Sequence, residues 1–110
     1  MRTKDRKAAM STKHAKTLLV IVTEAVLEKN LVREVRELGA QGWTLSEVHG
    51  AGREGVREGA WDADCTIEMK VICDASVADA IADHVLAAYA TNYSVAIYFS
   101  AVSVLRPDRF

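Results

Sequence analysis

Two unbroken apolar stretches constrain the fold of this chain more than any other feature. They are residues 17–23, with the sequence TLLVIVT, and residues 95–105, with the sequence VAIYFSAVSVL. The first is short and rich in β-branched side chains, which predicts a strand buried on both faces, and the second is apolar nearly throughout and predicts a long strand. Because neither stretch has a polar face, an apolar layer must cover both sides of each strand.

The segment after the first apolar stretch has the pattern of a helix followed by a strand. Thr23 is placed to cap a helix that runs to Leu38, with apolar residues along one stripe. Gly39 is a natural C-terminal stop, because glycine adopts the left-handed conformation at low cost. Residues 43–49 alternate in polarity and predict a second strand.

The remaining segments complete the element order. Residues 64–73 predict a third strand, with one face formed by cysteine, isoleucine, methionine and valine side chains. Ser76 is placed to cap a second helix that buries Ile81, Val85 and Ala88. The order β-α-β-β-α-β predicts an α+β sandwich of the ferredoxin-like type.

This arrangement leaves one sheet face without a cover. The helices of a ferredoxin-like sandwich pack on one side of an antiparallel sheet, and the other side usually meets water. Here the strands at 17–23 and 95–105 are apolar on both sides. The simplest cover is another copy of the chain, so the sequence predicts a homo-oligomer.

Length and charge limit the remaining possibilities. A chain of 110 residues fits one domain, and its net charge of −1 argues against nucleic-acid binding. No apolar stretch is long enough to span a membrane. Residues 1–16 carry a net charge of +5, so the rest carries −6. We expect a basic, disordered leader over residues 1–15 and one domain over residues 16–110.

Residues 39–57, GAQGWTLSEVHGAGREGVR, combine a turn, a short strand and a glycine-rich loop. Gly50 and Gly52 let the backbone turn sharply and leave its N–H groups accessible to a ligand. Arg53 and Arg57 add two guanidinium groups just beyond those amides. Paired arginines beside bare amides favour an anion, and phosphate is the commonest such anion.

The same stretch resembles the signature of PII signalling proteins, G-x-x-G-x-T-x-[ST]-E-V-x-G-x-G-R. The resemblance extends from about residue 16 to residue 106, and it implies a homotrimer with nucleotide sites in the clefts between subunits. Nine positions match in a fixed register: Gly39, Gly42, Thr44, Ser46, Glu47, Val48, Gly50, Gly52 and Arg53.

The resemblance also assigns roles within a nucleotide site. Thr44 would face the adenine, while Gly50, Gly52 and Arg53 would approach the ribose and phosphates. Residues 66–68 resemble the family strand in which a glutamate, here Glu68, accepts a hydrogen bond from the adenine amino group. Arg106 and Arg109 resemble basic residues that neighbouring subunits donate to the phosphates. Arg57, the second arginine of the glycine-rich stretch, completes the expected site.

Two departures from the family pattern narrow the expected ligand. Residues 92–96 lack the basic side chain that supports the terminal phosphate, which favours ADP or AMP over ATP. The loop at about residues 52–63 is also shorter than the long loop of PII proteins. This short loop and the arginine-proline ending resemble a PII-like subgroup associated with carboxysomes and bicarbonate transporters. That resemblance implies bicarbonate as a second ligand at Arg53 and Arg57, a transporter or carboxysome protein as partner, and a cytoplasmic or carboxysome-associated location.

The chain lacks the patterns of an enzyme or a metal protein. His14, His49 and His84 have no sequence partners that suggest a catalytic triad. Cys65 and Cys73 lie in one predicted strand, too far apart to share a disulfide or a metal ion. We therefore expect no catalytic residues, no metal site and no tightly held cofactor.

Two other functions remain open from the sequence. One is a structural or metal-handling trimer of the same fold, which would show no preference for adenine. The other is an assembly adaptor, in which the basic leader docks on an acidic partner.

Overall fold

The computed structural model describes residues 11–49 and 65–110. Two short 3-10 turns, Ala25–Leu27 and Pro107–Arg109, lie before the first helix and after the last strand. The predicted order is confirmed, with strands and helices at β1 (His14–Glu24), α1 (Glu28–Glu37), β2 (Thr44–Val48), β3 (Thr66–Cys73), α2 (Ala75–Tyr89) and β4 (Val95–Val104).

The four strands form one antiparallel sheet in the order β2-β3-β1-β4. The two central strands, β1 and β3, are those with the most regular apolar pattern. Their register pairs Leu19 with Val71, and β4 adds Phe99 on the other side of Leu19. This order and the two helices give the predicted ferredoxin-like α+β fold.

Both helices pack on one face of the sheet. The predicted stripe of α1 is confirmed, because its apolar residues are buried against odd-numbered residues of β1 and β3. Burial of one such large side chain stabilises the fold by about 1.5–3 kcal/mol. The centre of this core consists of Leu19, Ile21, Leu31, Val35, Met69, Val71, Ile81 and Val85.

Cys73 is part of the same core. Its side chain is buried, and burial, reinforced by the neighbouring Asp74, raises the pKa of its thiol above the ordinary value. The side chain therefore behaves as a small hydrophobic group on the buried face of β3.

Even-numbered residues of β1, β3 and β4 point to the opposite face, which we call the open face. Neither helix covers it. Tyr98 of the edge strand β4 lies on this face and is 51% exposed, while its neighbour Phe99 is 49% exposed on the other side. The edge strand thus presents an aromatic ring on each side.

The predicted cap at Thr23 is wrong. β1 continues to Glu24, and a 3-10 turn separates it from α1. Thr23 is a buried strand residue whose hydroxyl donates to the Ser94 carbonyl at 2.6 Å. The hydroxyl therefore joins β1 to the turn before β4 instead of starting the helix.

The start and the buried face of α2 also differ from the prediction. Asp74, not Ser76, occupies the N-cap position, although its carboxylate binds Lys16 at 2.6 Å and makes no cap hydrogen bond. Ala88 is exposed, because the buried stripe continues from Val85 to Tyr89 in steps of four residues.

The first strand begins earlier than the sequence predicts. His14 and Ala15 pair with Val104 and Ser103 of β4, so they belong to the sheet rather than to the leader. The rest of the predicted leader, residues 1–10, lies outside the described residues. No helix in the described part of the chain has the length and apolar character needed to cross a membrane.

Gly39 ends α1 as predicted. Its φ angle is 117°, and its N–H donates to the Arg36 carbonyl at 3.1 Å. The next N–H, of Ala40, donates to the Val35 carbonyl at 2.9 Å. These two bonds form a Schellman motif, which satisfies carbonyls at the helix end and directs the chain towards β2.

We expect Gly39→Ala to lower the free energy of unfolding by about 1–2 kcal/mol. A side chain is strained at this φ, and a Cβ would lie 3.3 Å from the Val77 side chain. Urea unfolding measures the change. Gly42→Ala is the matched control, because a Cβ there meets no atom within 4 Å. Equal stability of the two variants would contradict the expectation.

Candidate functional site

The open face carries a cavity of about 410 Å³ beside the β2 edge. Leu18 and Ile72, which are paired across β1 and β3, form its apolar floor. Its polar groups are Thr44, Lys70 and Arg109. A cavity of this size and composition suits a small ligand with one flat apolar part and one anionic part.

The end of α1 positions Thr44 at this cavity. The turn at Gly39 leads to Trp43, whose ring lies 4.9 Å below the Arg36 guanidinium carbon. Trp43 also packs partly against the core. The stacked pair fixes the point where β2 begins, so the next residue, Thr44, faces the open side.

A square of polar residues crosses the β2–β3 pair on the open face. Thr44 lies opposite Lys70, and Ser46 lies opposite Glu68. The Lys70 ammonium is 3.5 Å from the Glu68 carboxylate, and the Lys70 side chain is half exposed. This ion pair is weak, because solvent screens it and the separation is long, so both groups can turn to a ligand.

Another lysine near this face is already engaged. Lys16 has a side chain that is only 11% exposed, and its ammonium lies 2.6 Å from the Asp74 carboxylate. That bond neutralises Lys16. Among the described residues, the cations that line the cavity are therefore Lys70 and Arg109.

The C-terminal turn closes one side of the cavity. Pro107 begins the turn, and the N–H groups of Arg109 and Phe110 donate to the carbonyls of Arg106 and Pro107, each at 3.1 Å. Arg109 and Phe110 line the cavity. Arg106 stands at the start of the turn, exposed, and is not among the residues that line the cavity.

The structure thus brings together part of the predicted site. Thr44 and Arg109 share a cavity, and Glu68 lies beside it on the same face. Arg106 is separate from them. The other four predicted residues lie outside the described residues, namely Gly50, Gly52, Arg53 and Arg57.

Lys70 is the cavity residue that the sequence analysis missed. Its position on the face shared with Glu68 follows from strand alternation, which was a usable signal. Its pairing with Thr44 depends on the register between β2 and β3, which no local pattern reveals.

A second polar cluster joins the two helices on the far side of the core. The Tyr89 hydroxyl donates to the Glu34 carboxylate, 2.7 Å from one oxygen and 2.8 Å from the other. The ring nitrogen Nε2 of His84 lies 2.9 Å from the same carboxylate. Burial, then the hydrogen bond and charge of Glu34, raise the pKa of the Tyr89 phenol.

Neither of these two clusters, as the described residues form them, has the donor set of a metal site. Among residues 11–49 and 65–110, histidine, cysteine, aspartate and glutamate side chains form no group of three that could hold a metal ion. The open-face cavity instead combines donors, one nearby carboxylate and an apolar floor. Such a combination is typical of a ligand pocket.

The fold is a small ferredoxin-like α+β sandwich with a cavity on its open sheet face. The family model for the nitrogen regulatory protein P-II matches residues 16–109. The chain therefore belongs to the P-II family and is a PII-like regulatory protein.

Solved structures show the same fold. A protein of Thermus thermophilus, provisionally assigned as a PII-like signaling protein, is 34% identical, with 89% of this chain and 97% of that chain covered and a TM-score of 0.77. CPII from Thiomonas intermedia, bound to ADP and bicarbonate, is 18% identical, with 90% and 97% covered and a TM-score of 0.78. A CPII structure bound to ADP, AMP and bicarbonate is 17% identical, with 90% and 96% covered and a TM-score of 0.79.

Proposed function

We propose that this protein is a sensor that binds ADP or AMP in the clefts between three identical chains. The observation that carries the proposal is the cavity that places Thr44, Lys70 and Arg109 around an apolar floor. The floor suits the adenine ring, and the two cations suit a phosphate. The ligands of CPII support the same class of compound.

Bicarbonate is the proposed second ligand. It is a small planar anion that a bidentate arginine and bare backbone amides can bind. Arg53 and Arg57 are its proposed donors, together with the glycines at 50 and 52. The bicarbonate in the CPII structures supports this ligand class for a protein of the same fold.

The proposed setting is inorganic-carbon metabolism in the cytoplasm. The subgroup resemblance favours a bicarbonate transporter or a carboxysome protein as the partner. Ligand binding would act on such a partner by changing the conformation of residues 52–63, provided the ligand binds one conformation more tightly.

We expect Glu68→Ala to weaken ADP binding about tenfold, because a hydrogen bond to a charged group is worth about 1.5–3 kcal/mol. Isothermal titration calorimetry with ADP, AMP and GDP measures the affinities. Wild-type protein should prefer the adenine nucleotides, since the Glu68 carboxylate accepts a hydrogen bond from the adenine amino group.

Glu37→Ala is the control, because Glu37 is an exposed glutamate on α1, away from the open face. It should bind ADP like the wild type. If the wild-type protein binds neither ADP nor AMP at millimolar concentration, the sensor function is wrong. If ADP binds but Glu68→Ala changes nothing, Glu68 has no role in the site.

A further inference from the structure

We propose that this protein docks on anionic lipid surfaces through one end of its sheet. We call this region the basic end. It consists of Lys13, Leu105 and Arg106, together with residues 1–10, which lie just before them in the chain. These three side chains do not line the open-face cavity, so the proposed contact is separate from the nucleotide site.

The register of the sheet brings the described part of the basic end together. His14, the first residue of β1, pairs with Val104, the last residue of β4. Lys13 precedes this pair, and Leu105 and Arg106 follow it, so all three lie at the same end of the sheet. Their side chains are exposed, and that of Leu105 is 58% exposed. Two cations and a large apolar side chain therefore share one exposed corner of the molecule.

The start of the chain adds charge at this corner. Residues 1–10 lie outside the described residues, but the sequence gives their charge and the residue at which they join the sheet. They carry four cations and one carboxylate, a net charge of +3. Residues 1–16 together carry +5, whereas the rest of the chain carries −6. A negatively charged surface therefore attracts the basic end and repels the rest, which orients the protein as it approaches.

Leu105 favours a lipid surface over other polyanions. Lipid head groups attract cations, and an apolar side chain among those cations can enter the boundary between head groups and acyl chains. A nucleic-acid backbone attracts the same cations but offers no apolar layer. Nearby carboxylates cancel little of the charge, because Asp74 is already bound to Lys16 at 2.6 Å and Asp108 subtracts a single unit.

The connection between β2 and β3 lies at the other end of the sheet. β2 ends at Val48, and β3 begins at Thr66, which pairs with Glu24, the last residue of β1. The eleven residues of β1 span the sheet between the two ends, a distance of about 35 Å. A protein docked by its basic end would thus hold the β2–β3 connection away from the lipid, accessible to a partner.

A first experiment tests the charges. We expect full-length protein with Arg6→Gln and Lys7→Gln to bind vesicles of phosphatidylcholine and phosphatidylserine about thirtyfold more weakly, the effect of two charges near an anionic surface. Lys29→Gln with Arg33→Gln is the control, because it removes two exposed cations from α1 and should leave binding unchanged. Cosedimentation measures the affinities. No loss in the first pair, or an equal loss in both pairs, would overturn the proposal.

A second experiment tests whether the end of the sheet itself meets the lipid. We expect Leu105→Ser to weaken binding to the same vesicles about fivefold, because an apolar side chain no longer enters the head-group region. Leu86→Ser is the matched control, since Leu86 is 49% exposed but lies on α2. Equal binding by the two variants would show that Leu105 does not touch the lipid and would overturn the docking surface.

Two further measurements separate the alternatives. Duplex DNA is the competing polyanion, and if it binds the protein as tightly as the vesicles do, charge alone is recognised and a lipid surface is the wrong partner. The Arg6→Gln, Lys7→Gln protein should bind ADP like the wild type, because neither residue belongs to the proposed nucleotide site. Failure of the wild type to bind ADP would overturn the proposed function and leave the vesicle results as an independent test of docking.

Discussion

Glu34→Ala should lower the free energy of unfolding by about 3 kcal/mol, because it leaves a buried hydroxyl without its acceptor. The Glu34 carboxylate is 14% exposed, and both of its oxygens accept from Tyr89. His84 binds the same group. Removing the carboxylate thus breaks the polar link between α1 and α2 and also opens space beside the core. Urea unfolding monitored by circular dichroism measures the loss.

Arg33→Ala is the matched control for this prediction. Arg33 also pairs with Glu34, at 3.2 Å, but its side chain is 58% exposed. A solvent-exposed pair of this kind contributes about 0–1 kcal/mol. Tyr89→Phe removes the donor instead of the acceptor, so a double-mutant cycle with Glu34→Ala isolates the energy of the pair. A loss below about 1 kcal/mol in Glu34→Ala would contradict the role assigned to the cluster.

The loss of stability at high pH provides a second measurement on Glu34→Ala. Because the pKa of Tyr89 is raised on folding, its contribution is fully present below the unfolded pKa, about 10. It is lost as the pH rises through the folded-state pKa. Without Glu34, two of the causes that raise this pKa disappear and only part of the shift remains. The wild type should therefore lose more stability in this range than Glu34→Ala.

The order of the elements could be predicted because each has a local periodicity. Alternation placed Ile67, Met69 and Val71 on one face of β3, and a stripe of every third or fourth residue placed Leu31 and Val35 on α1. These patterns depend only on residues that are close in sequence and on which face is buried. They could therefore be recognised without knowing the tertiary contacts.

The helix N-caps could not be predicted with the same success, because tertiary contacts compete for their polar groups. Thr23 has the residue type of an N-cap, yet its hydroxyl binds Ser94, which is 71 residues away. Asp74 occupies an N-cap position, yet its carboxylate binds Lys16 of β1. A sequence pattern cannot show which of two possible partners is closer.

Residues of the cavity were predicted only where the family resemblance named them, as it did for Thr44 and Arg109. The family pattern identified Thr44, whereas Lys70 has no place in that pattern and needs the β2–β3 register to be recognised. The same limit applies to the cluster between the helices. The Glu34–Tyr89 hydrogen bond joins residues that are 55 positions apart, and no local sequence pattern near either residue predicts it. Contacts of this separation become visible only in the folded chain.

Tyr98→Glu should reduce the mass in solution about threefold, from that of the proposed trimer to that of a single 12.0 kDa chain. Tyr98 is a half-exposed aromatic side chain on the open face, which the proposed partners would cover. Burying an unpaired carboxylate there costs on the order of several kcal/mol per interface, because the charge is removed from water. Light scattering over a range of protein concentrations measures the mass.

Leu86→Glu is the matched control, because Leu86 is 49% exposed, almost the same as Tyr98 at 51%, but it lies on α2 in the helical layer. A carboxylate there stays in water whether or not the open faces associate, so the mass should not change. Dissociation by both substitutions would place the interface elsewhere, since the two residues lie on opposite sides of the sheet. Dissociation by Tyr98→Glu alone, with circular dichroism unchanged, would show that the open face holds the subunits together.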